Sequence, residues 1–236
     1  MKPVAIFRHS ITEGPGYFAA FLDRNRLPWR FIKLDEGDAV PGDSGGFAGL
    51  AFMGGPMSVN DDLPWIAPVL ALIRDAIRAD VPVIGHCLGG QLMSKALGGV
   101  VSRNPVKEIG WGRVEILPAA ESRRWFGDCT MFESFHWHGE TFTIPPGAIR
   151  LAASTYCQNQ MFSLGKHLGM QCHVEMTPAL IADWCKDWHK EVRSLAQRTA
   201  SVQTPEQMLM SVEENTARLH GIADRLYDVW AQGLLR

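Results

Sequence analysis

The chain has 236 residues, 46% hydrophobic and 20% charged, and its 23 Lys and Arg face 25 Asp and Glu for a formal net charge of −2. That composition describes a globular protein with room for one α/β domain of about 150 residues plus further helices, and it is too short for two full catalytic domains. A balance this close to zero supplies no basic field for a phosphate backbone and argues against nucleic acid as a partner.

Taken in chain order, Val4–Phe7, Trp29–Leu34, Leu50–Met53 and Val81–Gly85 predict strands, and Tyr17–Asn25, Trp65–Ala79 and Gly89–Leu97 predict helices between or after them. This is a βαβ rhythm. A continuously apolar run such as Val81-Pro82-Val83-Ile84 suits a parallel strand covered on both faces, so the expected fold class is α/β, a three-layer sandwich with a mostly parallel sheet. From Gly112 to His173 no helical period is visible, and Arg113–Leu117, Met131–His136, Ile149–Ser154, Gln160–Leu164 and Leu168–His173 predict strands. They read as antiparallel additions that return to the main sheet at Leu168–Cys172.

After Pro178 the chain is expected to be helical to its end. Thr204-Pro205-Glu206-Gln207 has the capping-box arrangement of a helix start. Leu209, Val212, Thr216, Leu219, Ala223, Leu226 and Trp230 then form one apolar stripe, which either docks on the chain's own domain or meets a partner helix. The widely spaced, odd set Cys87, Cys129, Cys157, Cys172 and Cys185 predicts reduced thiols and a cytoplasmic location. Val4–Phe7 is too short for the core of a secretion signal. Leu63–Ile73, interrupted by Pro64 and Pro68, falls short of the roughly 20 residues of a membrane helix, so no membrane is expected as a partner.

Chemistry concentrates in three places. Val83-Ile84-Gly85-His86-Cys87-Leu88-Gly89-Gly90-Gln91 runs from a strand through glycines into a helix and has the form Gly-x-Cys-x-Gly. A nucleophile on such a turn stands out at the sheet edge, and flanking glycines are needed where a Cβ would strike neighbouring backbone. The helix N-terminus favours a thiolate at Cys87, and the Leu88 N–H points where an oxyanion would form. Alone, the pattern also fits a plain turn with a buried cysteine. The second place is Gln171-Cys172-His173-Val174-Glu175, where residues two apart on an extended segment share a side, so Glu175 can orient His173 as the base of a Cys–His–carboxylate triad. The third is Phe52-Met53-Gly54-Gly55-Pro56, whose glycines allow close approach of a backbone donor and make Gly55 the second oxyanion candidate.

With Leu97-Gly98-Gly99, Glu108-Ile109-Gly110-Trp111 and Trp137-His138-Gly139-Glu140, these motifs resemble the class I glutamine amidotransferases, most closely the glutaminase domain of GMP synthase and its stand-alone relatives. The resemblance implies a flavodoxin-like sandwich over residues 1–185, followed by a C-terminal helical extension over 186–236. It implies a triad of Cys87, His173 and Glu175, an oxyanion hole of Gly55 and Leu88, and a substrate grip by Gln91, His138 and the backbone around Gly139 and Glu140. The expected chemistry is hydrolysis of a γ-glutamyl amide through a thioester, with glutamine, a γ-glutamyl peptide or a conjugate as small-molecule substrate. A catalytically silent binding module on the same fold is the alternative. No metal or organic cofactor is expected, because His136-x-His138 and Cys185-x-x-x-His189 each offer two ligands where a structural zinc needs four. A separate synthase subunit and a homodimer are the partners considered. The chain carries no Gly-x-x-x-x-Gly-Lys-[Ser/Thr] phosphate loop, and Ser44–Gly49 reads as a surface turn. Three departures stand out: His86 and Gly90, expected to alter the pocket wall, and Val174 where the family usually has Pro.

Overall fold

A computed structural model describes residues 1–234. Its first half follows the βαβ rhythm: β1 (Val4–Arg8), α1 (Gly16–Arg24), β2 (Trp29–Lys33), β3 (Gly49–Phe52), α2 (Ile66–Arg78), β4 (Val83–His86) and α3 (Leu88–Ala96). All residues of β1, β3 and β4 are buried, as strands covered on both faces must be. In α2 the buried positions Ile66, Val69, Leu72, Ile73 and Ala76 repeat at the spacing of one helical face.

The second half supplies β5 (Val101–Ile116), α4 (Ala120–Phe126), β6 (Met131–Phe142), β7 (Ile149–Ser154), β8 (Met161–Leu164) and β9 (His167–Met170). One nine-stranded sheet results, in the order β2-β1-β3-β4-β9-β8-β7-β5-β6. Strands β2, β1, β3, β4 and β9 pair in parallel, and the remaining pairs are antiparallel. The expected return is therefore made by β9, with Gly85 opposite Gly169 and His86 opposite Met170. This flavodoxin-like arrangement brings the ends of β3, β4 and β9 together at one edge, where ligands bind in such sheets.

Three expectations are corrected. The hairpin β5–β6 is far longer than the segments 113–117 and 131–136, because Asn104-Pro105 and exposed charges break its alternation and its register shifts between Arg103 and Glu108. The stretch read as free of helix contains α4, which has no side-chain cap to announce it and is held by buried Ser122, Trp125 and Phe126. Finally, the helix opened by the Thr204 capping box stops at Leu209, and a left-handed Ser211 (φ 56°) restarts the chain as a separate helix.

The helical end comprises α5 (Pro178–Asp187), α6 (His189–Ala196), α7 (Pro205–Leu209) and α8 (Val212–Ala231). Thr216, Leu219, Ala223, Leu226 and Trp230 of the apolar stripe are buried in the chain's own core, and Leu209 alone is exposed. Tyr227 and Trp230 meet Phe18 of α1 edge-on at centroid distances of 4.9 and 5.6 Å. Burying each such side chain contributes about 1.5–3 kcal/mol, which settles the stripe on this domain. Between Gly45 and Gly46 the chain does turn at the surface, but Ser44 is buried with its N–H and Oγ on Asp75. The five cysteines form no disulfide, and no helix among the described residues is long and apolar enough to cross a membrane.

Candidate active site

Cys87 occupies the single residue between β4 and α3 with φ 49° and ψ −106°, a conformation that strains any residue with a Cβ. The surrounding glycines make the turn possible. A Cβ on Gly89 would lie 2.1 Å from the Phe52 carbonyl oxygen, and one on Gly85 would lie 2.4 Å from the Gly89 carbonyl carbon. Helix α3 can therefore sit directly on β3 and β4, with Cys87 turned into an open cleft of about 750 Å³.

His173 follows β9 and is fixed through its backbone, its N–H donating to the Phe135 carbonyl at 2.8 Å and its own carbonyl accepting from Ser134 Oγ at 3.2 Å. Its Nδ1 lies 2.6 Å from Glu175 Oε1, and the Trp184 ring meets the imidazole edge-on at 5.1 Å. Burial works against charge on both partners, yet the pairing prevails. Glu175 and Cys87 hold the His173 pKa well above its usual 6.5, and His173 holds that of Glu175 down to about 2. With Nδ1 donating to the carboxylate, Nε2 is the nitrogen left without a hydrogen-bond partner among the described residues. His173 and Cys87 line the same cleft.

Gly55 lines the cleft with Cys87, and Leu88 follows Cys87 directly in the chain. A Cβ on Gly55 would lie 2.7 Å from Leu88 Cδ2 and 2.6 Å from Met57 Sδ, so a larger residue in this loop would have to displace those two side chains. His9, at the end of β1, donates from Nδ1 to the Gly54 carbonyl at 3.3 Å, and burial brings its pKa down to about 4, leaving a neutral ring.

Gln91, His138, Gly139 and Glu140 all line the cleft. Gln91 donates to Gln171 Oε1 at 3.1 Å, and Gln171 donates to Cys87 Sγ at 3.5 Å, which makes a short relay to Cys87. Both ring nitrogens of His138 are engaged, with the Glu140 carbonyl at 2.9 Å and Glu108 Oε2 at 3.0 Å, so this residue shapes the Gly139–Glu140 backbone. Ser58 Oγ donates to Glu140 Oε1 at 3.0 Å. His86 and Gly90, expected in the pocket wall, are elsewhere. His86 is fully buried beneath the cleft, and a Cβ on Gly90 would strike the Met170 carbonyl oxygen at 2.3 Å.

The structure also assembles groups that local patterns do not reveal. Glu108 joins His136 and His138, the ligand atoms of all three lying within 4.8 Å of one another. Such a donor set can hold a metal, but the Glu108 oxygens already accept from Ser154 Oγ at 2.7 Å and Gln160 Nε2 at 2.8 Å besides contacting His138, so the cluster closes as a hydrogen-bond network. Glu108 faces His138 across the β5–β6 ladder, a register that no short motif shows. His9 and Glu13, just beyond β1, also belong to this edge, and the rule that ligands bind at the carboxyl ends of parallel strands was the available signal.

A flavodoxin-like sandwich with a strained cysteine after a central strand defines the class, an α/β protein of the glutamine amidotransferase type. Comparison with known proteins agrees. The class-I glutamine amidotransferase family model matches residues 27–183. The glutamine amidotransferase-like protein YfeJ of Salmonella typhimurium is 30% identical over 178 residues, covering 72% of this chain and 74% of YfeJ. A GMP synthase of Aromatoleum aromaticum is 30% identical over 139 residues, but these span 55% of this chain and 26% of that enzyme. The crystal structure of a glutamine amido transferase from Methylobacillus flagellatus superposes with a TM-score of 0.97 at 42% identity, covering 100% of this chain and 96% of that one. The chain belongs to the class I glutamine amidotransferase family, which ties it to glutamine amide hydrolysis in general.

Proposed function

We propose that the protein hydrolyses γ-glutamyl amides through a thioester on Cys87, with residues 1–185 as the catalytic domain and 186–236 as an extension packed on it. The observation that carries this reading is the 2.6 Å contact of His173 Nδ1 with Glu175 Oε1 behind an imidazole that shares its cleft with Cys87. With the Cys87 proton already held by His173, the sulfur bonds to the amide carbon, and the Gly55 and Leu88 N–H groups hold the oxygen that takes up the electron pair. The carbonyl re-forms, the C–N bond breaks, and His173 gives the proton to the leaving nitrogen. Water then adds to the thioester with its proton going to His173, the C–S bond breaks with its electron pair going to the sulfur, and glutamate leaves with the proton again on His173. Gln91, Gly139 and Glu140 hold the γ-glutamyl end, with His138 positioning the latter two.

A γ-glutamyl conjugate as substrate is favoured by the cleft itself, which runs past the nucleophile to Lys107, Trp188 and Glu191 and exceeds what a single glutamine fills. If ammonia is the product, a separate synthase is the partner that consumes it. Glutamate and ammonia release from glutamine and from γ-glutamyl dipeptides, by the natural protein and by Cys87→Ala, tests the proposal. Turnover abolished by the substitution is expected; absence of turnover on every amide, or activity surviving in Cys87→Ala, overturns it.

A further inference from the structure

Glu13 lines the cleft with Cys87 and His173, yet the hydrolytic steps above give it no task. It stands on the turn after β1, where its N–H donates to the Ser10 carbonyl at 3.0 Å. The turn is tied to α5 by Trp184 Nε1, which donates to the Thr12 carbonyl at 2.8 Å. A Cβ on Gly54 would lie 2.8 Å from Glu13 Oε2 and 3.2 Å from His173 Cε1, so the carboxylate and the imidazole flank the same glycine.

The other acids of the cleft are engaged. Glu191 pairs with Lys107 at 3.0 Å, and Glu140 accepts from Ser58. The Glu13 carboxylate has neither a hydrogen bond nor an ion pair among the described residues. Burial raises its pKa to about 7, with His173 opposing and Glu175 adding to the rise, so among the described residues no cation is bonded to its ionised form. Beside it the wall is aromatic: Trp184 packs on His173, and Trp137 meets Trp184 edge-on at 5.5 Å.

Position decides what this corner can do. His173 must reach the leaving nitrogen, so the leaving group stands on the His173 side of the scissile bond, while Ser58, Gln91 and Glu140 lie toward the γ-glutamyl end. A carboxylate next to aromatic rings is the chemistry that recognises an ammonium or guanidinium, and it repels a second carboxylate.

We infer that Glu13, with Trp137 and Trp184, forms a leaving-group subsite for a cation, so that the preferred substrate is a γ-glutamyl conjugate of an amine carrying a second positive charge. This rests on the hydrolase reading of Cys87, and the test separates the two. Three amides of matched length serve as probes: γ-glutamyl-5-aminopentylamide (cationic tail), γ-glutamyl-pentylamide (neutral) and γ-glutamyl-5-aminopentanoate (anionic). For the natural protein kcat/KM is expected to favour the cationic over the neutral amide by about tenfold, a discrimination of about 1.4 kcal/mol, with the anionic amide poorest. Glu13→Gln collapses the cationic-to-neutral ratio toward one, and Glu13→Asp keeps part of it. A ratio near one in the natural protein, or a ratio unchanged in Glu13→Gln, overturns the subsite. Calorimetric titration of the same amides into Cys87→Ala keeps the outcome readable without turnover. Tighter binding of the cationic amide there upholds the subsite even if hydrolysis fails, and equal affinities overturn it even if hydrolysis stands.

Discussion

The hydroxyl of Tyr227, on the C-terminal helix α8, stands 3.0 Å from Nε2 of His86 beneath the proposed triad. The same nitrogen is 4.0 Å from Glu175 Oε2, an oxygen with no hydrogen-bond partner among the described residues. Burial holds the His86 pKa below its ordinary value, so the ring is neutral and needs the phenol as its partner. A helix outside the family-matched residues 27–183 thus reaches Glu175, the proposed orienting acid, by way of His86.

Tyr227→Phe removes that partner and keeps the ring packed on Phe18 and Phe21. Leaving a buried polar atom unsatisfied costs about 1–3 kcal/mol. We expect this loss in urea unfolding, together with a several-fold lower kcat and little change in KM, because the effect runs through Glu175 and His173 and not through the substrate grip. Unaltered stability and unaltered kcat would falsify the connection.

The His173–Glu175 pair makes stability depend on pH with opposite signs at the two ends. The Glu175 pKa is depressed to about 2 from an ordinary 4.5, so its contribution is full above 4.5 and is lost as the pH falls toward 2. The His173 pKa is raised above 6.5, so its contribution is full below 6.5 and is lost as the pH rises through the raised value. The pair therefore stabilises most between about pH 4.5 and 6.5. Denaturant midpoints of the natural protein and Glu175→Gln, measured from pH 3 to 9, should differ most inside that window. A difference constant across the range refutes the ion pair.

Strands β1, β3 and β4 announce themselves because burial on both faces demands continuous apolar runs, and the Gly85–Gly89 turn does so because only glycines clear the backbones of β3 and α3. His173 and Glu175 are legible because their pairing is local. Helix α4 lacks a cap, and the β5–β6 ladder hides its period behind Asn104-Pro105 and surface charges. Glu13, Glu108 and Tyr227 come to the site from distant parts of the chain, by strand order, ladder register and helix docking. No spacing in the sequence encodes such proximity. His86 shows the reverse error: its neighbour Cys87 faces the cleft, and the alternation of β4 directs His86 into the core instead.

Gly89→Ala tests the turn that presents Cys87. The new Cβ would meet the Phe52 carbonyl oxygen at 2.1 Å, and this neighbour is backbone of β3 that cannot swing aside. Helix α3 must move off the sheet, at a cost of about 1–3 kcal/mol, and Cys87 moves with it. Thermal unfolding and the rate of Cys87 alkylation by iodoacetamide should both change. Gly46→Ala, which meets nothing within 4 Å, is the control expected to change neither.

Glu13 offers a prediction whose sign is opposite to that of Glu175. Burial raises its pKa from 4.5 to about 7, so the folded protein holds this proton more tightly than the unfolded chain does. Its contribution is thus most favourable below pH 4.5 and declines as the pH rises through 7, where an unpaired carboxylate must be kept in the cleft. Replacing it by glutamine removes the charge and leaves the shape. Glu13→Gln should therefore match the natural protein at pH 4.5 and exceed it at pH 8 by about 2 kcal/mol, a figure reduced for water in the cleft. Urea unfolding at the two pH values decides the matter. Equal stability at pH 8 means that the Glu13 carboxylate is already solvated or paired, and a gain at pH 8 that a bound cationic amide cancels means that the cleft holds this charge ready for a ligand of opposite sign.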